Sequence, residues 1–318
     1  MDISQIARLG EQIKANVGRV IVGKDQTVEL LTIALIASGH VLLEDVPGTG
    51  KTQLAKALAR SLDGTMKRIQ FTPDLLPSDV SGVNFFNQKL GEFEFRPGPI
   101  FAHIVLADEI NRATPRTQSS LLESMEERQV SIDGETRRLE APFLVIATQN
   151  PVDNQGTFPL PEAQLDRFLM KLSLGYPAAD EQLEILKRYR TQDPLDSLRP
   201  VVSRAELLEA QQAFTQVRVD DELLQYIVQL AEATRAHADT ALGVSPRGVR
   251  ALMRASQVYA ALRGRDYVLP DDIKTLAAPV WAHRILLRTR SRQQEQAVAA
   301  LLSGILGSVR VPTEAKLG

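Results

Sequence analysis

The residues best suited to chemistry lie in one short glycine-rich segment, Pro47-Gly48-Thr49-Gly50-Lys51-Thr52. Glycines allow backbone N–H groups to approach phosphate oxygens without a Cβ in the way. A lysine at this position would contact the β- and γ-phosphates of a nucleotide, and the threonine hydroxyl after it would bind Mg²⁺. The segment therefore predicts a phosphate-binding loop (P-loop), which spans residues 45–52 when the whole pattern is counted.

One position departs from the usual P-loop pattern. Asp45 stands where the pattern has its first glycine. Because aspartate adopts unusual backbone angles more readily than most residues do, we expect the loop to form in spite of this change.

A second group of candidates ends the apolar run Ile104-Val105-Leu106-Ala107-Asp108-Glu109. A buried strand beside the P-loop strand would deliver both carboxylates to the metal and the γ-phosphate. Asp108 would support Mg²⁺ through water, since Mg²⁺ keeps several of its waters in proteins. Glu109 would act as the general base that polarises the attacking water.

Three further side chains could complete a phosphoryl-transfer site. Asn150, in Ala147-Thr148-Gln149-Asn150-Pro151, would place a neutral amide near the attacking water. Arg167, at the end of 160–167, and Arg247, in 245–250, are candidates for stabilising charge on the phosphate oxygens in the transition state. Taken singly, each of these residues could also be a turn or surface residue.

The elements that must position these residues alternate up to about residue 175. Short aliphatic runs at 41–46, 68–71, 103–109 and 143–150 are separated by helical stretches, one of them at 52–62. This alternation predicts a parallel sheet with crossover helices. After Tyr176-Pro177 the strands are expected to stop. We predict an α/β domain over 1–175, a linker with a connecting helix over 176–199 and an all-α lid domain over 200–318.

Two hairpins are predicted inside the α/β half. The first covers 83–96 and carries four of the ten phenylalanines, with Gly91 in its turn. The second covers 128–139, where Asp133-Gly134 is typical of a two-residue turn.

In their order, these motifs resemble those of AAA+ ATPases, with Walker A and Walker B motifs, a sensor-one asparagine, an arginine finger and a sensor-two arginine. Three segments resemble the MoxR family in particular, namely LLEDVPGTGKT, ADEINRATPRTQSSLLESMEERQV and SPRGVRALMRASQVYA. The resemblance implies hydrolysis of Mg-ATP bound between the two domains. It also implies that Val22 and Gly23 meet the adenine, and that Arg247 of the lid contacts the phosphates.

The same resemblance bears on assembly and on partners. It implies a ring, most simply a hexamer, in which Arg167 serves the ATP of a neighbouring subunit. It also implies chaperone-like remodelling or maturation of protein clients, together with a partner that bears a von Willebrand factor A domain. A metal-chelatase motor subunit, a nucleic-acid motor and a nucleotide-binding scaffold without turnover remain as alternatives.

Composition narrows the class of protein further. The 318 residues carry 37 Lys and Arg against 39 Asp and Glu, and there is no cysteine. The near-neutral balance gives no electrostatic signature of a nucleic-acid-binding protein, and disulfides and thiolate metal sites are excluded. Without an apolar run long enough for a membrane span or a signal peptide, a cytoplasmic protein is expected. Arg284, Arg288, Arg290 and Arg292 are interpreted as a solvated or interface face.

Overall fold

Eleven strands are found among the residues that the computed structural model describes, which are 1–46, 48–150, 156–190, 192–289 and 294–312. In chain order they are β1 Val41–Glu44, β2 Met66–Gln70, β3 Gly82–Asn87, β4 Glu92–Pro97, β5 Ile104–Asp108, β6 Gln129–Ile132, β7 Glu135–Arg138, β8 Leu144–Gln149, β9 Met170–Leu172, β10 Thr240–Leu242 and β11 Leu286–Leu287.

The main sheet contains five of these strands in the order β2-β5-β8-β1-β9, and all its pairings are parallel. Its central strands are nearly continuous runs of Val, Ile, Leu and Ala, and β5 is buried along its whole length. This composition is expected of parallel strands that are covered on both faces. The predicted parallel sheet is confirmed, and the bounds of the four predicted strands differ from the observed ones by at most two residues.

Twelve α-helices surround and follow the sheet within the described ranges. They are α1 Ile3–Gly18, α2 Asp25–Ile36, α3 Lys51–Ser61, α4 Pro77–Ser81, α5 Pro115–Glu127, α6 Glu162–Leu165, α7 Ala179–Arg188, α8 Arg204–Ala213, α9 Asp221–Ala236, α10 Pro246–Leu262, α11 Pro270–Trp281 and α12 Gln294–Ser308.

The first helix shows how local sequence determines these elements. Asp2 caps α1 by accepting a hydrogen bond from the backbone N–H of Gln5, whose side chain accepts in return from the N–H of Asp2. The apolar stripe of α1, which includes Ile6 and Ile13, is buried in a core shared with α2, α3 and α10. The lid helices therefore pack on the N-terminal helices rather than standing apart from them.

Both predicted hairpins are present. The first is formed by β3 and β4, with Gly91 in the left-handed region at its turn. The second is formed by β6 and β7, and its turn residues Asp133 and Gly134 both have positive φ, as a two-residue hairpin turn requires. Asn84 donates a hydrogen bond to the Asp133 carboxylate over 2.8 Å, so the two hairpins contact each other.

Three details differ from the sequence-based expectations. The short edge strand β9 was missed, because three residues are too few to show a period. Strands do not end at Tyr176-Pro177, since β10 and β11 form a minimal antiparallel pair within the helical region. Arg284 does not lie on a solvated face but is buried, and Arg290 and Arg292 fall outside the described residues.

Among the described helices, none is both long enough and apolar enough to cross a bilayer.

Candidate functional site

Three polar segments meet at the edge of the sheet where the parallel strands end, which we call the carboxyl edge. The P-loop follows β1, Asp108 and Glu109 end β5, and Asn150 follows β8. Because β1, β8 and β5 are parallel neighbours in register, these segments lie side by side. Ligands of open α/β sheets bind at this edge, so the predicted site residues are positioned together by the topology alone.

The P-loop has the backbone that phosphate binding requires. Gly48 and Gly50 have φ values of 86° and 93°, and apart from each glycine and its two chain neighbours, no described atom lies within 4 Å of the place where a Cβ would stand. Gly50 precedes α3, so the N–H groups of the first helical turn point toward this open space. The Lys51 ammonium donates to the carbonyls of Asp45 and Val46 over 3.1 and 2.9 Å. Pro47 lies outside the described residues.

The residues present fit a magnesium nucleotide. The open space beside Gly48 and Gly50 leaves room for phosphate oxygens, and Thr52 lies in the first turn of α3. A hydroxyl and the Asp108 carboxylate are oxygen donors of the kind that Mg²⁺ prefers. Thr49 lies in the loop itself, where its hydroxyl donates to the carbonyl of Val46 over 3.4 Å.

Asp45 has a different role from the one that was predicted from the conformational tolerance of aspartate. It is not among the residues with positive φ, so conformational tolerance is not the reason for its presence. Its buried carboxylate instead accepts hydrogen bonds from the hydroxyl of Ser173 and the backbone N–H groups of Leu174 and Gly175, over 2.6–3.0 Å. Asp45 therefore ties the start of the P-loop to the segment after β9.

Asp108 is held in place by two neighbouring strands. One carboxylate oxygen accepts a 2.5 Å hydrogen bond from the Thr148 hydroxyl of β8. The other accepts two hydrogen bonds from the Arg68 guanidinium of β2, at 2.7 and 3.1 Å. A carboxylate has about four acceptor positions, so capacity remains for a metal-bound water.

Glu109 adopts a backbone conformation that is rare for a residue with a side chain. Its φ is 57°, in the left-handed region, and its N–H donates to the Thr148 hydroxyl over 2.8 Å. The carboxylate accepts a hydrogen bond from Gln70 at 2.8 Å and lies 3.2 Å from Nε of Arg112. Such local strain is typical of functional sites, where surrounding contacts hold the residue in place.

The remaining predicted residues of this edge also lie close by. Asn150 is buried directly after β8. Gly23 has a φ of 71° and packs so closely on α7 that a Cβ would overlap the Glu181 carboxylate. Lys24 donates to the carbonyl of Tyr176, just after the segment that Asp45 holds. The segment of Val22 and Gly23 thus borders the P-loop edge, where the adenine was expected.

The two predicted arginines lie at the other end of the sheet, which we call the arginine edge. Arg167 precedes β9, and the neighbouring Leu169 N–H donates to the carbonyl of His40, just before β1. At about 3.3 Å per residue, the chain from His40 to Asp45 spans about 16 Å. Arg167 is therefore separated from the P-loop of its own chain by the length of β1.

Arg247 lies beside Arg167, contrary to the expectation that it would contact a nucleotide held between the two domains of its own chain. Both guanidiniums form ion pairs with Glu126 in the last turn of α5, Arg167 at 3.1 Å. The lid docks on α1, α2 and the edge strand β9, and this packing carries the start of α10 to the arginine edge.

His40 is a fixed neutral residue of the arginine edge. Its ring accepts a hydrogen bond from the N–H of Val145 and donates to the carbonyl of Met125, both at 3.0 Å. Complete burial, together with the nearby Arg128 charge, lowers the pKa of His40 to about 3. His40 therefore contributes shape and hydrogen bonds there without adding to the positive charge.

Sequence reasoning missed the residues that hold the two carboxylates. They are Arg68, Gln70, Arg112 and Thr148. Thr148 could have been found, because it lies at the end of the same strand as Asn150. Arg68 and Gln70 could not, since nothing in the sequence shows that β2 neighbours β5.

Comparisons with known proteins agree with this geometry. A family model described as the ATPase family associated with various cellular activities (AAA) matches residues 40–170, and one for the AAA lid domain matches 232–303. The YeaC protein of Bacillus subtilis is 51% identical over 96% of this chain and 95% of its own. Chaperone MoxR1 of Mycobacterium tuberculosis is 41% identical over 93% of this chain and 80% of its own.

A solved structure is similar over the whole fold. The crystal structure of a Cytophaga hutchinsonii protein assigned as an ATPase has a TM-score of 0.89 and 38% identity, with 98% of both chains covered. The fold and its motifs define an AAA+ ATPase. Within that class, the chain belongs to the MoxR family.

Proposed function

We propose that this chain binds and hydrolyses Mg-ATP at the carboxyl edge and uses the energy to remodel or mature partner proteins. The observation that carries the proposal is that an open P-loop after β1 lies at the same edge of the sheet as Asp108 and Glu109 at the end of β5, with one strand, β8, between β1 and β5. Each element contributes one part of a phosphoryl-transfer site, and the two segments lie more than fifty residues apart in the chain.

The residues of this edge divide the chemistry between them. Lys51 exchanges its two loop carbonyls for phosphate oxygens, and Thr52 and Asp108 hold Mg²⁺, which neutralises phosphate charge when it is bound. Glu109 accepts a proton from water as the water oxygen bonds to the γ-phosphorus, and the bond to the β,γ-bridging oxygen breaks with its electron pair leaving on ADP. Asn150 orients the water, and Gln70 holds the Glu109 carboxylate until then.

The arginine edge supports a second part of the proposal, namely that the active form is a ring. Arg167 and Arg247 project from the edge opposite their own P-loop, so a nucleotide they contact belongs to another subunit. Repeating one head-to-tail contact produces a closed ring or a filament. We propose a ring, most simply a hexamer, with each ATP held between two subunits.

For the client, we propose a protein that contacts the first hairpin. The side chains of Phe86 and Phe93 pack edge to face at its tip, yet they are 52% and 72% exposed. Exposed aromatic pairs are uncommon on a protein without a partner. One relative is named a chaperone. Recruitment through a von Willebrand factor A domain remains part of the proposal, on the strength of family resemblance alone.

The test separates ATP binding from ATP hydrolysis. Lys51→Ala should weaken Mg-ATP binding sharply in equilibrium titrations, because the direct phosphate contact is lost. Glu109→Gln should still bind ATP but lose about a hundredfold or more in turnover, the usual scale for a missing general base.

Lys56→Ala and Glu123→Gln serve as matched controls, since both residues are exposed on α3 and α5. Unchanged binding in the Lys51 variant would refute the nucleotide site, and unchanged turnover in the Glu109 variant would refute the base.

A further inference from the structure

A cavity of about 430 Å³ opens at the arginine edge between α5, α10 and the segment before β1. Its charged lining consists of six arginines and two carboxylates, an excess of four positive charges. The arginines are Arg128, Arg167, Arg247, Arg250, Arg254 and Arg284, and the carboxylates are Glu126 and Asp166. Such a cavity is suited to an anion, and the individual contacts show which arginines could bind it.

Three of the arginines are engaged in holding the fold together. Arg128 donates to the carbonyls of Ser38 and Phe143, and Arg254 donates to the carbonyl of Ala37. Arg284 is buried and pairs with Asp166 at 2.8 Å. These groups are fixed in place, and burial together with the charge of Arg254 lowers the pKa of Arg128, as expected in a positive environment.

Arg167 and Arg247 differ from these three because they share a single carboxylate. Each binds a different oxygen of Glu126, although they come from different halves of the chain. Glu126 lies in the last turn of α5, where the negative end of the helix dipole disfavours a carboxylate. The position of Glu126 on the helix therefore does not explain an acidic residue there, whereas its ion pairs with Arg167 and Arg247 do.

A second carboxylate links the two segments that carry the arginines. Asp166, beside Arg167, accepts hydrogen bonds from the hydroxyl of Ser245, the residue that caps α10, at 2.9 Å. Arg247 lies two residues further along, in the first turn of α10. Any group that attracts one arginine is thus presented with the other.

We propose that Glu126 is an internal counter-ion that occupies Arg167 and Arg247 in the separate subunit and gives way to the terminal phosphate of ATP on a second copy of this chain. This inference rests on the proposed function. A phosphate carries more charge than a carboxylate and binds arginine in the same two-pronged way, so it is the stronger partner. The negative charge of the phosphate also repels Glu126, so both arginines leave Glu126 and bind the phosphate instead.

The exchange has a measurable consequence for assembly. Each new subunit contact first has to break two ion pairs to Glu126, which opposes ring formation. Removing the charge should let rings form at lower subunit concentration. Because a half-exposed ion pair is worth at most a factor of about five, the two together predict a shift of about threefold to tenfold.

The experiment compares Glu126→Gln with Glu127→Gln in the full-length protein. Glu127 is the next residue of α5 and is exposed, and it forms no ion pair with a described residue, so its variant is the matched control. ATPase rate per subunit is measured against subunit concentration. Sedimentation velocity with a slowly hydrolysed ATP analogue gives the assembled fraction without relying on activity. The midpoint of both curves should fall for Glu126→Gln and stay at the wild-type value for Glu127→Gln.

Two outcomes overturn the proposal, and a third separates it from the proposed function. Equal midpoints for the two variants would show that Glu126 does not oppose assembly. A collapse of Glu126→Gln to the rate of Arg167→Ala would show that Glu126 is required to position the arginines rather than to release them. If the wild-type ATPase rate per subunit did not depend on subunit concentration, the proposal that two subunits share each ATP site would itself be refuted.

Discussion

In the proposed mechanism, the two edges of the central sheet hold complementary halves of one phosphoryl-transfer site. At the carboxyl edge, which carries the P-loop, Arg68 pairs with Asp108 and Arg112 pairs with Glu109, so these two arginines are engaged by carboxylates. At the arginine edge, Arg167 and Arg247 stand over a cavity with no nucleotide-binding loop. The edges are separated by β1, which is only four residues long but too long for a side chain to cross. Under the proposed function, the comparison teaches that a single chain contains every part of the site but cannot bring the parts together.

The edges also differ in how their charged groups are balanced. At the carboxyl edge each carboxylate has nearby cationic or amide partners, as with Asp108 and Arg68 or Glu109 and Gln70. At the arginine edge, Arg250 is exposed and has no ion-pair partner among the described residues, while Arg167 and Arg247 share one glutamate. The carboxylates of the first edge are therefore paired, whereas the cavity of the second edge carries an excess of positive charge.

The largest expected effect comes from removing an arginine of the arginine edge by mutation. Arg167→Ala should lower the turnover number by about 10³–10⁵, the range measured for arginines that act on transferred phosphates. Arg116→Ala, which removes an exposed arginine from α5, should leave turnover at the wild-type value. Steady-state ATPase assays at saturating ATP measure both variants.

Mixing subunits then tests whether the arginine acts across an interface. Arg167→Ala subunits keep an intact P-loop, and Lys51→Ala subunits keep an intact arginine. In a random mixture of equal parts about one junction in four joins the two intact halves, so activity should recover to about that fraction. Mixed rings that form without any recovery would show that Arg167 does not serve a neighbour.

The difference between the edges also explains how far the sequence could be read. Residues of the carboxyl edge follow strands with recognisable motifs, so Lys51, Asp108, Glu109 and Asn150 were predicted to form one site, and the strand order brings the segments that carry them to the same edge. The placement of Arg247 could not be predicted, because it depends on how the helical region docks. That docking is determined by side chains spread over α1, α2, α10 and β9. A local pattern such as the apolar stripe of α1 shows which face is buried but not which element packs against it.

The role of Asp45 could not be predicted from the neighbouring sequence, for a similar reason. Its three donors come from residues 173–175, more than 120 positions away, after a strand too short to predict. A local argument could examine only its backbone, and the backbone is ordinary.

An intermediate effect is expected from breaking this tie at the carboxyl edge. Asp45→Asn presents an amide N–H to at least one backbone N–H, so it should lower the free energy of unfolding by about 1–3 kcal/mol. Denaturant titration measures this, and ATP affinity should fall in parallel because the loop loses its anchor.

Asp45→Gly distinguishes the two explanations for this residue. It restores the usual P-loop glycine but removes the acceptor, so it should be no more stable than Asp45→Asn. A glycine variant as stable as wild type would mean that backbone freedom, and not the carboxylate, is what the position requires.

The smallest effect is expected at the other end of β1, where His40 fixes the arginine edge. Its ring is buried between Met125, Phe143 and Val145, with Arg128 the nearby charge, and its pKa is lowered from 6.5 to about 3. Since the folded protein keeps His40 neutral, its contribution to stability is complete above about pH 6.5 and is lost as the pH falls toward 3. Between pH 6 and 5 the unfolded chain carries nearly one proton more at His40 than the folded chain does, so the free energy of unfolding should fall by about 1 kcal/mol over this interval.

The variant His40→Gln can form both hydrogen bonds without titrating. Its free energy of unfolding should therefore fall less steeply between pH 6 and 5, whatever its value at pH 8. Denaturant titrations at pH 8, 6 and 5 measure both slopes, and equal slopes would show that His40 does not couple the arginine edge to pH.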